Sequence, residues 1–256
     1  RAMVGSHDFT DAEAGQVNNA LTLQQPGSAI KPVVYTAALI GNGNQYLTPA
    51  SILWDVPVSY NIAGSLYTPV NFDRRFHGAT PMRFALGNSY NVAAVKAYAF
   101  IGNQKFLETA QAMGLQFAEN ASFNLPSALG ANDVRLIDMM KAYGTLANGG
   151  KNVELYAIER ISETVEGNQV EVPMPPRPEP VQAISPQVAY LMQNVLSDDN
   201  ARAEQFGRNS NLTLARLGLN SLNRIAAKTG TSNDARYLWT MGLTQNIVVG
   251  VSLGTF

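Results

Sequence analysis

The chain contains no cysteine and only two histidines, His7 and His77. The missing thiols exclude a cysteine nucleophile, Cys-ligated zinc and disulfides. Two histidines leave no histidine-rich metal site, so neither a metal nor a cofactor is expected. Charge is sparse too: charged residues make up 14% and the formal net charge is −1. That balance offers no electrostatic footprint for nucleic acid. No run of 18 apolar residues and no signal-peptide pattern occurs, so no membrane segment is expected within these residues. What is present is a sequence of 256 residues with a hydrophobic share of 46%, enough for a globular core.

One stretch concentrates chemistry: Gln25-Pro26-Gly27-Ser28-Ala29-Ile30-Lys31-Pro32. Pro26-Gly27 marks a turn. Beyond it Ile30, Val33, Val34, Ala37 and Ile40 recur at helical spacing, which puts Ser28 at a helix start. Lys31 follows three residues later, close to the same face, so hydroxyl and amine can meet. Pro32 is tolerated in a first turn, whose amides lack intrahelical partners. The positive end of the helix dipole also suits developing negative charge. A serine hydroxyl needs a base, and lysine serves only when neutral, which requires a pKa lowered from about 10.4. A second ammonium roughly 6 Å away at an effective dielectric of about 20 disfavours the charged form by about 2.8 kcal/mol, or about two pK units. A second cation is therefore expected, and Lys228-Thr229-Gly230-Thr231, at the end of a predicted strand, offers one. The glycine there would let a ligand approach the backbone closely.

The rest of the chain arranges itself around these points. Residues 2–9 read as a strand, and Asp11 to Leu23 as a polar connection. Asn42-Gly43-Asn44 stops the Ser28 helix. Residues 45–80 are a long ordered loop region rich in Pro, Tyr, Asn and Gly. Met82 to Leu86 is a short helix broken by Gly87-Asn88. Ser89 then caps a helix through Val92, Val95 and Ala99, followed by helices over Phe106–Met113 and Asn132–Ala147. Val153–Ile161 and Val170–Val172 form a hairpin about Glu166-Gly167-Asn168. Met174-Pro175-Pro176-Arg177-Pro178 is a rigid connector, and Ser185-Pro186 opens another helix. Arg224–Lys228, Tyr237–Leu243 and Asn246–Leu253 are three strands in tight antiparallel connection. In the last, Ile247, Val249, Val251 and Leu253 face one way, while the small residues Gly250, Ser252 and Gly254 face the other and admit a close helix.

Ser-x-Asn occurs four times, beginning at Ser59, Ser89, Ser122 and Ser221. Spacing does not choose among them. Ser89 alone lies at a break between two helices, whereas the others sit in loops with no helix after them.

The set Ser28-x-x-Lys31, Ser89-x-Asn91 and Lys228-Thr229-Gly230 resembles that of penicillin-binding proteins and serine β-lactamases. The flanks Gln25-Pro26-Gly27-Ser28, Tyr67-Thr68-Pro69-Val70-Asn71-Phe72-Asp73, Phe76-His77-Gly78 and Lys228-Thr229-Gly230-Thr231-Ser232-Asn233-Asp234, with Trp239 ahead of Met241-Gly242, are similar to the transpeptidase domain of bifunctional class A penicillin-binding proteins. The resemblance runs nearly end to end. It implies an α/β (α+β) fold: an antiparallel sheet built from both chain ends and flanked by helices, plus an all-helical lobe, with the site between them. Residues 1–256 are expected to be one transpeptidase domain, its sheet-containing part from about 1–45 and 151–256 and its loop-rich and helical lobe from about 46–150.

The resemblance also implies a D,D-transpeptidase. Peptidoglycan stem peptides ending in D-Ala-D-Ala would lie along the Lys228 strand, their carboxylate meeting Lys228, Thr229 and Thr231 beside Gly230. Lys31 would take the proton of Ser28, whose backbone amide with that of Thr231 would form the oxyanion hole. Ser89 would relay the proton and Asn91 would orient Lys31. β-Lactam antibiotics would acylate Ser28. The parent protein is expected to be membrane-anchored, working on the extracytoplasmic face of a bacterial cell membrane. The family's further N-terminal strand and C-terminal helix are not present, so the chain is expected to be a fragment trimmed at both ends. Rival readings are a serine β-lactamase or D,D-carboxypeptidase of the same fold, and a β-lactam-sensing receptor domain. No Glu-x-x-Leu-Asn segment supports a class A lactamase, and no Gly-x-Ser-x-Gly elbow supports a hydrolase using His77.

Overall fold

The structure is a computed structural model and describes residues 2–213 and 225–254. In chain order the strands and helices are β1 (Leu23–Gln24), a 3-10 turn (Gly27–Ile30), α1 (Lys31–Ile40), β2 (Ile52–Asp55), β3 (Tyr60–Ile62), β4 (Ser65–Tyr67), β5 (Gly78–Pro81), α2 (Met82–Gly87), α3 (Asn91–Ala112), a 3-10 turn (Leu125–Leu129), β6 (Val134–Arg135), α4 (Leu136–Ala147), β7 (Lys151–Asn152), β8 (Ile161–Val165), β9 (Asn168–Val172), β10 (Val181–Gln182), α5 (Pro186–Leu196), α6 (Ala203–Phe206), β11 (Ala226–Thr231), a 3-10 turn (Asn233–Ala235), β12 (Tyr237–Leu243) and β13 (Val248–Gly254).

Helix α1 is the axis of the molecule. Lys31 through Leu39 are all buried, as expected of a helix apolar on every side rather than along one stripe. It packs against α3 and α5. It ends at Gly41, whose φ of 72° is open to glycine without strain. The sheet β11-β12-β13 is antiparallel throughout, with Lys228 opposite Met241, Gly230 opposite Trp239 and Gly242 opposite Val249. Helices α4 and α5 cover one of its faces. The small-residue side of β13 is the covered one: a β-carbon on Gly250 would lie 2.5 Å from Met140 Sδ and 3.0 Å from Leu136 Cδ1 of α4. Trp239 and Met241 of β12 are buried in the core that α1, α3 and α4 share. The opposite face exposes Val249, Val251 and Leu253.

Several local expectations give way. Residues 2–9 form no strand, so among the described residues the sheet is built from the C-terminal part alone. Met3, Val4 and Phe9 are exposed, with no partner strand among the described residues. The chain instead turns where Asp8 Oδ1 accepts from Thr10 N and Asp11 Oδ1 from Glu13 N, the local competition that Asp offers a ladder. Residues 45–80 are not a plain loop: β2 pairs with β5 and β3 with β4. The alternation in Ile52-Leu53-Trp54-Asp55 is too short to stand out against its Pro- and Gly-rich setting. The last lobe helix starts at Leu136, because Val134–Arg135 pairs with Leu23–Gln24. The exposed hairpin begins at Ile161, eight residues later than its expected start. The two lobe helices after Ser89 are α3, broken at Gly102 with φ 74°. Ser185-Pro186 opens α5 as expected, and the Ser185 hydroxyl accepts from Val188 N at 3.3 Å. The expected strand start at Arg224 lies outside the described residues.

Candidate active site

Ser28 sits in the 3-10 turn that leads into α1, half-buried. Two contacts hold this turn. Tyr143 of α4 donates its hydroxyl to Ala29 O at 2.9 Å. Gly230 of β11 lies against its backbone: a β-carbon there would collide with Pro26 O and sit 2.8 Å from Ala29 N. From its place in the motif that glycine is expected to admit a ligand. Its immediate cause is the approach of the serine turn, since only a residue without a side chain lets strand and turn come so close.

Lys31, one residue past the turn, is fully buried. Its Nζ donates to Ser89 O at 2.6 Å and Asn91 Oδ1 at 2.7 Å, and lies 3.3 Å from Ser89 Oγ. Lys228 Nζ donates to Ser89 Oγ at 2.9 Å and Thr229 O at 2.7 Å. The Ser89 hydroxyl thus stands between two lysines. Lys31 Nζ is the donor in all three of its contacts, to Ser89 O, Ser89 Oγ and Asn91 Oδ1. Burial first, and then the charge of Lys228, hold the Lys31 amine well below the ordinary lysine range. Lys228 is pushed down to about 7 by burial and then by the charge of Arg202. The expected second cation is there, but desolvation is the larger effect. No hydrogen bond joins Ser28 Oγ to Lys31 Nζ among the described residues; the amine is turned to Ser89 and Asn91 instead, so the helical spacing that suggested a Ser28–Lys31 contact places the two near one another without closing it.

Ser89 does not cap α3; Tyr90 occupies the N-cap position without a side-chain bond. The capping oxygen comes from twenty residues upstream, where Asn71 Oδ1 accepts from Asn91 N at 2.7 Å and Val92 N at 3.2 Å. Freed from that task, Ser89 has φ 62°, a left-handed conformation that costs a non-glycine residue on the order of 1–3 kcal/mol. Asn91 donates Nδ2 to Val70 O at 2.8 Å, which fixes its amide so that the oxygen meets Lys31. Of the other Ser-x-Asn segments, Ser59 leads into β3. Ser122 leads to the Leu125–Leu129 turn, where Asn124 and Ser127 form a capping box; a helical turn does follow that segment, and its asparagine is spent on it. Ser221 lies outside the described residues.

Sequence reasoning missed Arg202. It is buried and donates to Ala227 O at 3.2 Å and to Leu196 O. In the same loop Ala201 O accepts from Asn88 Nδ2 at 2.8 Å, and Gln205 N donates to Asn88 Oδ1 at 2.9 Å. One segment therefore links the residue before Ser89 to the residue before Lys228. No pattern marks it in the sequence. Thr229 is half-buried and Thr231 exposed, both beside the lysine pair along β11.

A serine on a tight turn, a buried lysine of lowered pKa, a serine hydroxyl between two lysines and a Lys-Thr-Gly strand thus stand together at one place in the fold. The family described as the penicillin-binding protein transpeptidase domain matches residues 1–249. The chain belongs to that family, and with its relatives it is the transpeptidase domain of a class A penicillin-binding protein. It is 31% identical to penicillin-binding protein 1A of Neisseria lactamica over 99% of its own length, spanning 30% of that relative. It is also 31% identical to penicillin-binding protein 1C of Escherichia coli, again over 99% of this chain and 29% of the relative. The crystal structure of penicillin-binding protein 1A from Haemophilus influenzae superposes with a TM-score of 0.78 at 27% identity, covering 94% of this chain and 39% of that one.

Proposed function

We propose that this domain is a D,D-transpeptidase that cross-links peptidoglycan stem peptides through an acyl-enzyme on Ser28. The observation that carries the reading is the Ser89 hydroxyl set between Lys31 and Lys228 beside the Ser28 turn. The donor stem peptide lies along β11, its terminal carboxylate on Thr229, Thr231 and the charge of Lys228. Lys31 gives up one of its present partners to take the Ser28 proton, a tightening that free sites commonly leave to the bound complex. Ser28 Oγ attacks the penultimate D-Ala carbonyl. The amides of Ser28 and Thr231 bind the oxyanion, each worth roughly 3–4 kcal/mol. As the peptide C–N bond breaks, Lys31 returns the proton through Ser89 to the departing D-Ala amine. An amine from a neighbouring stem then attacks the ester, takes the acyl group and restores the Ser28 hydroxyl. A β-lactam follows the first half of this path and stops as the acyl-enzyme. No metal or cofactor enters.

Among the described residues no helix is long and apolar enough to cross a membrane. The work site proposed for the parent protein is the outer face of a bacterial cell membrane, to which another part of it anchors this domain. Incubation with a fluorescent penicillin, followed by gel and mass spectrometry, tests the reading. Stable label on Ser28, absent from Ser28→Ala, is the expected result. Label lost within seconds would mark a β-lactamase, and folded protein without label would end the catalytic reading.

A further inference from the structure

The segments Val70-Asn71 and Phe76-His77-Gly78 carry family resemblance, yet the chemistry above gives them no part. The structure places them directly behind Ser89-Tyr90-Asn91. Asn71 is buried and uses both ends of its amide. Its oxygen caps α3 at Asn91 and Val92, and its nitrogen donates to Asp55 Oδ1 at 3.0 Å, Asp55 Oδ2 at 2.7 Å and Arg75 O at 2.7 Å. Asp55 is wholly buried and also accepts from His77 N at 3.1 Å. The His77 ring puts Nδ1 2.7 Å from Asp55 Oδ2 and Nε2 3.1 Å from Asp73 Oδ2. The same ring stacks on Tyr90, the middle residue of the Ser-x-Asn segment, at 3.8 Å between centroids and 9° between planes.

Ser89 is thus followed by a ring held from behind and by a backbone amide held from the side. A residue kept at positive φ persists only where its surroundings over-determine it, and here the determining groups are Asn71 and His77, both anchored on one buried carboxylate. Val70, next to Asn71, supplies the carbonyl that orients the Asn91 amide. Displacing Asn71 would therefore move the capped end of α3, the Asn91 oxygen and the Ser89 hydroxyl together, and with them the partners of Lys31.

We propose that Asp55, Asn71 and His77 form a positioning clamp that sets Ser89 and Asn91 against Lys31, so that the rate of acylation depends on a buried carboxylate that never touches substrate. The inference rests on the transpeptidase reading and deepens it. None of the three is a catalytic residue; each acts through Ser89-Tyr90-Asn91.

The test is a time course of Ser28 labelling by fluorescent penicillin, resolved into the concentration at half-saturation and the rate constant of the chemical step, with the labelled fraction counted by mass spectrometry. Asn71→Asp keeps the cap but sets two carboxylates face to face. It should slow the chemical step about 10–100-fold and move half-saturation less than about 3-fold, because misplaced groups cost rate rather than affinity. Asp55→Asn in the same chain restores one donor opposite one carboxylate and should recover most of the loss. His77→Ala should slow acylation about 10-fold, and His77→Asn, whose amide nitrogen can stand in for Nδ1, should recover most of it. A purely structural role would lower the labelled fraction while leaving the rate of the labelled molecules unchanged, and that result would overturn the clamp. Should Asn71→Asp not melt cooperatively, the two His77 variants decide alone. If wild type labels at Ser28 and the Asn71 and His77 variants match its rate, the clamp is wrong and the transpeptidase reading stands. If wild type itself takes no label, both fall.

Discussion

Gly230 and Pro26 meet backbone to backbone: a β-carbon on Gly230 would run into the Pro26 carbonyl. The strand proposed to hold substrate and the turn that carries Ser28 are thereby kept in register without a side chain between them. Gly230→Ala should push the two apart. We expect a loss of about 1–3 kcal/mol in stability, the usual cost of overpacking, and a marked fall in Ser28 labelling. Thermal melting and labelling kinetics measure both. Wild-type values for the two together would remove the steric account of this glycine.

Lys31→Met tests the base. General-base groups contribute about 10²–10⁴-fold, so acylation should drop by at least about 100-fold. Stability should change little, because relief of a fully buried amine beside a second cation offsets the loss of its hydrogen bonds to Ser89 O and Asn91 Oδ1. Near-normal acylation by this variant would refute the assigned role, whereas a large loss of stability would refute the view that Lys31 is kept for chemistry rather than for the fold.

The lysines also give stability a pH dependence. Lys228 titrates at about 7 in the fold against an ordinary value of 10.5. Below about pH 7 it is protonated whether folded or not. Between those values the unfolded chain holds a proton that the folded chain has released, so stability rises with pH. Lys31, also held below the ordinary lysine range by burial and then by the charge of Lys228, acts in the same direction. Tyr35 and Tyr143, raised by burial, do the reverse: above about pH 10 they ionise in the unfolded chain first, and stability falls. The melting temperature should climb from about pH 7 to about pH 9.5 and then turn down. Lys228→Met should flatten the climb by at most about 1.4 kcal/mol per pH unit. A wild-type melting temperature that declines steadily over that interval would contradict the assignment.

Two capping residues offer a plainer check. Ser185→Ala removes the acceptor for Val188 N at the start of α5, and Asn124→Ala removes half of the capping box before Leu125. Each should cost about 1 kcal/mol and leave labelling rates unchanged. An altered rate would show that these ends couple to the site.

The motifs proposed to carry the chemistry are legible in the sequence because each is compact. Ser28 and Lys31 share one turn, Lys228 to Thr231 one strand end, and the helix break at Gly87-Asn88 singled out Ser89. Hydrophobic period and stop signals located α1, α5, β12 and β13 for the same reason. What stayed hidden depends on single polar residues meeting across long separations. Asn71 caps a helix that begins at Asn91, and nothing between them announces it, so the sequence points to the nearest serine, Ser89. Asp55 is an aspartate in a short strand until His77 and Asn71 converge on it. Arg202 reads as an ordinary charge until it is found beneath β11. The strand expected over residues 2–9 does not form, because the apolar residues there meet no ladder among the described residues. The lysine spacing anticipated the electrostatics but gave Lys228 the leading part, which belongs to desolvation.

The exposed face of β13 has a consequence for how the isolated chain behaves in the tube. Val249, Val251 and Leu253 are 51%, 48% and 63% exposed on a strand that pairs on one side only among the described residues. An apolar edge of this kind is a template for a second molecule to extend the sheet. Preparations should lose monodispersity as concentration rises, faster in added sulfate, which strengthens apolar association. A lysine at Val251 should delay this without touching the site, and light scattering across a dilution series reads the difference. Colloidal behaviour and acyl transfer would then be governed by opposite margins of the same three-stranded sheet.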